Sequence, residues 1–524
     1  MNKQNESSGM RLLSSGKRGF FRIVFSRVGL IALLLILQVA LIFAVMLWFY
    51  KILPHLLVVQ GLFVAVMVLI LINSRADASS KITWLVLIMS APLFGTLMYV
   101  YVRMDVGHRL LRDRLRGIIG ETKHLLPQEP SALETLKEAH PEAAALDTYL
   151  NQSGGFPVYD NCEVKYFPCG EEKFKELLLR LEEAKDFIFL EYFILEEGEM
   201  WDALFALLRE KAAEGLDVRL MYDAVGSLSK APPGYYKVIR AAGIRCKVFS
   251  PMSPILSTHQ NNRDHRKVCI VDGTVAFTGG INIADEYINA VTRKCGHWKD
   301  CGLRVTGEAV DSMTVSYLQM WNLTERRQEA FEPFLKKYFV PSGGFVVPYT
   351  DQPFDAYNVC RAVYLDILNT ARSYVYIMTP YLVIDSELKS ALVYAAQRGV
   401  DVRILLPGQC DEPIAKTIGI TYYRELLSGG VKLYAYAPGM LHSKVFLSDD
   451  EKAVVGTVNL DYRSLFLTFE NAVYLCRHPA VGTVRADFEE TFGLCRPITE
   501  ATYKSYGVFK RIAGRIMRLF APLV

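Results

Sequence analysis

The sequence lacks the cysteine pairs and the one-sided charge that mark several common protein classes. No cysteine occurs before residue 162, and the ten cysteines of the chain show no repeated spacing. A disulfide scaffold is therefore excluded, and thiols within apolar runs favour a reducing compartment, so we expect the globular part to be cytoplasmic. The motif CGHWKDC (295–301) has no second ligand pair, so no metal or other cofactor is expected. A net charge of +4 without a central basic stripe argues against nucleic acid.

Charge is also missing from three long apolar runs near the N-terminus. The runs are 28–50, 53–72 and 82–102. Each is long enough to cross about 30 Å of hydrocarbon as a helix, so residues 28–102 are predicted to form a multi-pass region in the cell membrane. The basic leader 1–27 and the arginine-rich stretch after residue 102 both favour the cytoplasmic side, which three full crossings would not allow. The topology is therefore left open by the sequence.

The rest of the chain divides into a connector and two similar halves. Residues 103–150 are charged and are predicted to be the connector, and segments of helical and strand character then alternate over 151–340. The same order restarts over 341–500, where AAQRGVDVRILLPG matches the earlier EKAAEGLDVRLMYD. Alternating strands and helices predict an α/β fold with mixed, mainly parallel sheets flanked by helices. The long repeat indicates two copies of one lobe.

The C-terminal segment 501–524 mixes basic and apolar residues at helical spacing. This pattern predicts a basic amphipathic helix that lies on an anionic surface. A terminal helix packed on the protein core is the alternative.

One polar pattern occurs once in each half. The stretch DHRKVCIVDGTVAFTGGIN at 264–282 returns as LHSKVFLSDDEKAVVGTVN at 441–459. The spacings are identical for His265, Lys267, Asp272, Gly279 and Asn282 in the first copy and His442, Lys444, Asp449, Gly456 and Asn459 in the second. In an extended strand, the His and Lys of each copy point to the same face. Recurrence within two matching lobes predicts that both copies serve one site.

Two histidines and two lysines in one site suit chemistry at a phosphodiester. The lysines and asparagines, with the neighbouring glycines, are predicted to bind or support the phosphate oxygens. One imidazole can attack phosphorus, and the other can protonate the leaving alkoxide and then deprotonate the incoming alcohol. Glu470 and Asp300, each just before an apolar strand, are predicted to orient the imidazoles. Asp272 and Asp449 complete the catalytic motif, and we expect them to brace the turn.

The doubled motif resembles the phospholipase D superfamily and, within it, the bacterial cardiolipin synthases. Segments such as NNRDHRKVCIVDG, FTGGINIADEY and HSKVFLSDDEKAVVGTVNLDYRSLFLTFE carry the resemblance, which covers residues 78–524. Gly280 and Thr457 stand where the superfamily often has Ser, although the Gly pair is normal for the first motif of these synthases. The resemblance implies two similar lobes related by a pseudo-twofold, with facing motifs, preceded by the predicted transmembrane helices.

The resemblance also implies a reaction. A phosphatidyl group would pass from one phosphatidylglycerol of an anionic bilayer to a second, giving cardiolipin and glycerol, with His265 as nucleophile and His442 as acid and base. With water or another alcohol as acceptor, the protein would instead be a phospholipase D-type hydrolase or a transphosphatidylase. A third class would bind anionic lipid or nucleic acid without turnover, but a pure binder needs no second imidazole as proton shuttle. An oligomer is compatible with the sequence and is not shown by it.

Overall fold

The computed structural model describes residues 27–48, 53–74, 78–103, 106–250, 262–325, 327–354 and 357–523. The predicted basic leader lies outside these residues except for its last position. Two units are distinguished: one contains the helices up to residue 110, and the other contains residues 111–251 and 261–522. The two lobes and the candidate site belong to the second unit.

The first unit consists of apolar helices. Their bounds are α1 Arg27–Trp48, α2 Leu53–Ile72, α3 Ala78–Ser90 and α4 Pro92–Arg103. A small buried cluster joins α2, α3 and α4. Within it, the rings of Trp84 and Tyr99 meet edge to face with centroids 5.3 Å apart. Met67 and Leu71 of α2 complete this cluster from the preceding helix.

Among the residues that the structure describes, no helix has both the length and the apolar character that a bilayer crossing requires. The predicted transmembrane helices, the multi-pass location in the cell membrane and the orientation inferred from it are therefore wrong. The run 82–102 is divided because α3 ends at Ser90 and Pro92, which lacks an N–H, begins α4.

The second unit contains helices on two sheets, and the first of these helices begins in the last residues of the first unit. The helices are α5 Val106–Thr122, α6 Pro130–Ala139, α7 Pro141–Gly154, α8 Gly170–Glu182, α9 Glu199–Ala213, α10 Tyr236–Ala241, α11 Ala309–Asn322, α12 Val359–Thr370, α13 Ser386–Gln397, α14 Pro413–Ser428, α15 Tyr462–Phe466, α16 Ala480–Gly493, α17 Glu500–Ser505 and α18 Val508–Phe520. The strands before residue 340 are β1 Cys162–Phe167, β2 Phe187–Tyr192, β3 Asp217–Asp223, β4 Arg245–Phe249, β5 Arg263–Asp264, β6 Val268–Val271, β7 Val275–Gly279, β8 His297–Lys299 and β9 Gly302–Gly307. The later strands are β10 Phe345–Asp351, β11 Tyr374–Met378, β12 Leu382–Val383, β13 Asp401–Pro407, β14 Lys432–Tyr436, β15 Gly439–Leu441, β16 Val445–Ser448, β17 Lys452–Gly456, β18 Leu460–Asp461, β19 Thr468–Cys476 and β20 Cys495–Ile498.

The two sheets repeat one strand order. The first runs β1-β9-β7-β6-β2-β3-β4, and the second runs β10-β19-β17-β16-β11-β13-β14, with β20 added at its edge. Each strand of the first sheet thus has a counterpart at the same place in the second. The predicted mixed α/β fold is confirmed, and the repeat seen in the sequence is a repeat of topology.

The prediction of mainly parallel sheets is wrong. In the first sheet only β2–β3 and β3–β4 pair in parallel, whereas β2–β6, β6–β7, β7–β9 and β1–β9 are antiparallel. The polar motif is itself the reason, because Asp272 and Gly273 have positive φ and turn β6 directly back into β7 as a hairpin. The second sheet has the same arrangement at β16 and β17.

One hydrophobic core contains side chains from both sheets. Leu303 of β9 and Val473 of β19 belong to it, together with most of the buried helix α11. A buried hydrogen bond also crosses between the halves, from the hydroxyl of Tyr166 in β1 to the carboxylate of Asp487 in α16, at 2.6 Å. The lobes are therefore joined by shared apolar packing as well as by the site.

Candidate active site

Two very short parallel strand pairs cross from one half of the chain to the other and set the geometry of the site. In the first, Arg263 and Asp264 of β5 pair with Thr468 and Phe469 of β19. In the second, Gly439–Leu441 of β15 pairs with His297–Lys299 of β8. His265 directly follows β5, and His442 directly follows β15. In each pair, the candidate acid of the opposite half is the residue one position beyond the last paired residue of the other strand. Parallel registry thus brings His265 beside Glu470 and His442 beside Asp300.

The first histidine–acid pair is enclosed by hydroxyl groups. Nδ1 of His265 lies 3.0 Å from each carboxylate oxygen of Glu470, which is completely buried. The hydroxyl of Thr468 donates to the same carboxylate at 2.8 Å, and the hydroxyl of Thr457 also donates to it. Burial opposes ionisation of Glu470, but the charges of His265 and Lys267 and these hydrogen bonds hold its pKa below the ordinary value. The buried carboxylate can therefore orient His265 as an anion.

The second histidine–acid pair has a different environment. Nδ1 of His442 lies 2.7 Å from Oδ2 of Asp300, whose other oxygen accepts the backbone N–H of Cys301 at 2.8 Å. Nζ of Lys444 also lies 2.7 Å from Nδ1 of His442. Burial, and then the charge of Lys444, lower the pKa of His442 to about 4. Because Nδ1 of each imidazole faces a carboxylate, Nε2 is the ring nitrogen left for chemistry.

The ionisable groups of the two motifs act on one another. The pKa of Lys267 is lowered to about 7, mainly by burial and in part by the charge of Lys444 from the other half, while Glu470 and Asp300 oppose the change. Burial likewise lowers the pKa of His265, and the charge of Lys444 adds to this effect. Nζ of Lys267 donates to the carbonyl oxygen of His265 at 2.6 Å. Both copies of the motif therefore contribute charge to one buried site.

The motif aspartates lie at the hairpin turns. The carboxylate of Asp272 accepts the backbone N–H groups of 185–187 at 2.8–3.0 Å. The carboxylate of Asp449 accepts those of 372–374 at 2.8–2.9 Å. Both residues have positive φ, 52° and 56°. Each thus ties the motif hairpin to the strand that lies beside it in the sheet.

The two motif asparagines are placed differently. The side-chain amide of Asn282 accepts from the N–H of Ile194 at 3.1 Å and donates to the hydroxyl of Tyr287 at 2.6 Å. The Oδ1 atom of Asn459 is buried and has no hydrogen-bond partner among the described residues. The amide of Asn282 is thus held by its own lobe, whereas Asn459 keeps an uncommitted oxygen.

The glycines of the motif allow close backbone contacts. Gly279 has φ +127°, and a Cβ on Gly279 or Gly456 would overlap a backbone carbonyl oxygen, that of Cys301 or of Asn471 respectively. At Gly280 a Cβ would overlap the carboxylate of Asp300, whereas the corresponding Thr457 donates to Glu470. The two half-sites therefore differ at this position because the acids approach the turn differently.

Replacing Gly280 by Ala is expected to displace Asp300 and to lower the turnover rate by about tenfold to a hundredfold. The added methyl would occupy the space of the carboxylate, and overpacking of this kind also destabilises by about 1–3 kcal/mol. Gly482→Ala in α16 is the control, since no atom lies within 4 Å of a Cβ there. Steady-state rates and thermal unfolding measure both effects, and equal behaviour of the two variants would contradict the proposed contact.

Acidification is expected to destabilise the folded chain through His442. Its pKa is about 4 in the fold and about 6.5 in an unfolded chain, so the unfolded state binds the proton more readily between these values. The stabilisation is complete above pH ~6.5 and is lost as the pH falls to ~4, with an expected decrease of about 3 kcal/mol in the free energy of unfolding. Denaturant unfolding against pH should be flatter for His442→Gln than for the parent. Identical profiles would contradict this, and exposed His124→Gln is the control.

Sequence reasoning missed the aromatic rings around the two imidazoles. Phe193 meets His265 edge to face with centroids 5.0 Å apart, and Tyr287 and Trp298 lie 5.4 and 5.5 Å from His442. It also missed Asn471, whose Oδ1 accepts the N–H of Lys267 at 3.4 Å across the lobe boundary. The sequence carried a signal for two of these residues, since Trp298 and Asn471 flank the predicted acids.

Comparison with known proteins identifies the family. A family model described as "Cardiolipin synthase, PLD-like domain" matches residues 177–292 and 364–492. A cardiolipin synthase of Geobacillus kaustophilus is 34% identical over 482 residues, covering 91% of this chain and 95% of that protein. The chain belongs to the cardiolipin synthase family of the phospholipase D superfamily.

Other relatives agree with this placement. A cardiolipin synthase of Staphylococcus aureus is 28% identical over 87% of this chain and 93% of its own length. An uncharacterized protein of Streptococcus mutans is 46% identical over 87% of this chain and 99% of its own. A phosphatidylserine synthase of Haemophilus influenzae shares the fold, with a TM-score of 0.55 at 14% identity over 73% of this chain and 98% of that one. As a cardiolipin synthase family member, the chain is a phospholipid phosphotransferase.

Proposed function

We propose that the enzyme transfers a phosphatidyl group from one phosphatidylglycerol to another through a covalent phosphohistidine, giving cardiolipin and glycerol. The observation that carries the proposal is the exchange of acids between lobes, which sets two imidazoles with buried carboxylate partners in one charged site. A nucleophile and a separate proton shuttle are what a two-step phosphodiester exchange needs. We further propose that the substrates are taken from an anionic phospholipid bilayer.

In the first step Nε2 of His265 attacks phosphorus, and the bond from phosphorus to the glycerol oxygen breaks. The imidazolium form of His442, which the charge of Asp300 and the negative charge of the bound phosphodiester both favour over the neutral form of the empty site, gives its proton to that oxygen, so glycerol leaves as a neutral alcohol. Burial favours the neutral form of His265, which is the form with a free electron pair for attack. Glu470 stabilises the positive charge that develops on this imidazole when the phosphorus–nitrogen bond forms.

In the second step the terminal hydroxyl of a second phosphatidylglycerol gives its proton to His442 while its oxygen attacks phosphorus. The phosphorus–nitrogen bond breaks, and His265 leaves as the neutral imidazole it was at the start. Asp300 stabilises His442 in its protonated state, so the same pair serves as acid and then as base. Both histidines are therefore back in their starting protonation states after one cycle, and the atoms and charges balance.

The two lysines are proposed to hold the non-bridging oxygens of the phosphate. They come from opposite halves and are buried, so their charges act at short range on the transferred group. Asn459, with its uncommitted side-chain oxygen, is a candidate contact to the acceptor alcohol, whereas the amide of Asn282 is proposed to support Tyr287 and the turn. Gly279 and Gly456 let the backbone approach closely at the site.

Lipid product analysis tests the proposal. Purified protein in phosphatidylglycerol vesicles should form cardiolipin and glycerol in equal amounts. Phosphatidic acid as the sole product would show that water is the acceptor and would overturn the synthase assignment in favour of a hydrolase. Exposed His124→Ala is the control for loss of a histidine outside the site and should retain full activity.

A further inference from the structure

The last helix, α18, packs against α14 through its polar side. Gly514 is buried, and a Cβ built on it would lie 2.5 Å from the carbonyl oxygen of Thr417. The guanidinium of Arg518 lies over the ring of Tyr422, 3.8 Å from its centroid. The contact with the lobe is therefore made by a small residue and an arginine.

The apolar side of α18 points away from the lobe. Phe509 is 90% exposed and Ile516 is 58% exposed, and Ile512 between them is exposed as well. At about 100° per residue, these three positions fall on one side of the helix, opposite Gly514 and Arg518. A surface helix of a globular protein normally buries its apolar stripe, so this orientation is reversed and leaves an unpartnered apolar ridge, Phe509–Ile512–Ile516.

A basic cleft lies between α18 and α14, on the flank of α18 that carries Arg515, about 100° around the helix axis from Ile516. It has a volume of about 310 Å³, and Arg424, Arg515 and Arg518 are among its lining residues. The one carboxylate in the lining, Glu425, is already paired with Nζ of Lys389 at 2.6 Å and lies 3.7 Å from the guanidinium of Arg518. The cleft therefore keeps an excess of positive charge, presented by guanidinium groups that match phosphate oxygens.

We propose that this arginine cleft and the apolar ridge together bind an acidic phospholipid at a lipid surface. The phosphate would lie in the cleft, and the acyl chains would lie beside Phe509 and Ile516. A soluble phosphate would leave the ridge unexplained. A second copy of the chain could bury the ridge by packing its own ridge against it. This dimer would bring two arginine clefts close together, which charge repulsion disfavours. None of the cleft or ridge residues belongs to either catalytic motif, so this is a second lipid site, independent of the proposed reaction.

Hydrogen exchange of the full chain, read on the segment 508–520, tests the site. Exchange is measured without lipid, with phosphatidylcholine vesicles, and with vesicles that also contain phosphatidylglycerol. We expect the segment to exchange about tenfold more slowly only when phosphatidylglycerol is present, because a bound ligand suppresses local opening. The double variants Arg424→Gln/Arg515→Gln and Phe509→Ser/Ile516→Ser should each lose this protection.

Two control variants separate the site from general charge and apolarity. Lys510→Gln removes an exposed cation from the same helix but not from the cleft, and Val238→Ser removes an exposed apolar side chain from α10. Both should keep the protection. Equal protection by pure phosphatidylcholine, by inorganic phosphate, or by raised protein concentration without lipid would each overturn the proposal. Exchange does not report turnover, so a negative result here is distinguishable from failure of the proposed transferase reaction.

Discussion

Replacing His265 or His442 by Ala is expected to lower cardiolipin formation by about 10⁴-fold or more. The first variant has no nucleophile, and the second has no group to protonate glycerol or to deprotonate the acceptor. His442 is buried and His265 is largely so, and each is paired with a carboxylate of the other half, so no other described side chain is placed to replace it. Rates of cardiolipin release from phosphatidylglycerol vesicles measure the loss.

A substrate with an acidic phenol in place of glycerol separates the two roles. Such a leaving group needs no proton, so His442→Ala should still release one phenolate per active site and then stop with the phosphatidyl group bound to His265. His265→Ala should give no such burst. Mapping the adduct by mass spectrometry completes the assignment. A burst from His265→Ala alone would mean that the roles are reversed.

Replacing Asp300 by Asn or Glu470 by Gln is expected to lower turnover by about 10²–10⁴-fold, while the yield of folded protein changes little. An amide keeps the shape of the acid but cannot stabilise an imidazolium, and it favours the wrong ring tautomer. The same acidic substrate then tests the exchange between halves. Asp300→Asn acts through His442 and should keep the burst, whereas Glu470→Gln acts through His265 and should lose it.

Double variants provide the matched control for this second prediction. Asp300→Asn should add almost nothing to the loss already caused by His442→Ala, because the acid acts only through that ring. Thr457→Val removes one donor to Glu470 and leaves Asp300 untouched, so its smaller effect should fall on the step that uses His265. If Asp300→Asn instead removed the burst, the pairing of acids with histidines across the lobes would be contradicted.

The repeat of topology could be predicted from the sequence because matching segments recur in matching order. The mainly antiparallel pairing could not be predicted from the alternation of helices and strands, since that pattern implied crossover connections throughout. The Asp272–Gly273 turn within the motif was the contrary signal, as this dipeptide is typical of a hairpin. The division of the apolar run 82–102 also had a local signal in Pro92, which outweighed the continuous hydrophobicity on both sides.

The identity of the site residues could be predicted from spacing, but their partners could not. Spacing along a chain fixes which residues share a strand, and both acids were found because each precedes an apolar strand after the motif, although the first half carries a longer insert there. The exchange between halves depends on two ladders of two and three residues formed over long sequence separations. Ladders this short have no hydrophobic period of their own. The different environments of Gly280 and Thr457 follow from the same contacts.

The two crossing ladders have a consequence for any attempt to divide the molecule. A fragment that ends before β10 would carry an imidazole with no acid to orient it, and the remaining fragment would be deficient in the same way. Each half thus supplies the acid that orients the imidazole of the other half. Activity should return only when severed halves reassociate, which makes split-protein complementation a direct assay of that interdependence.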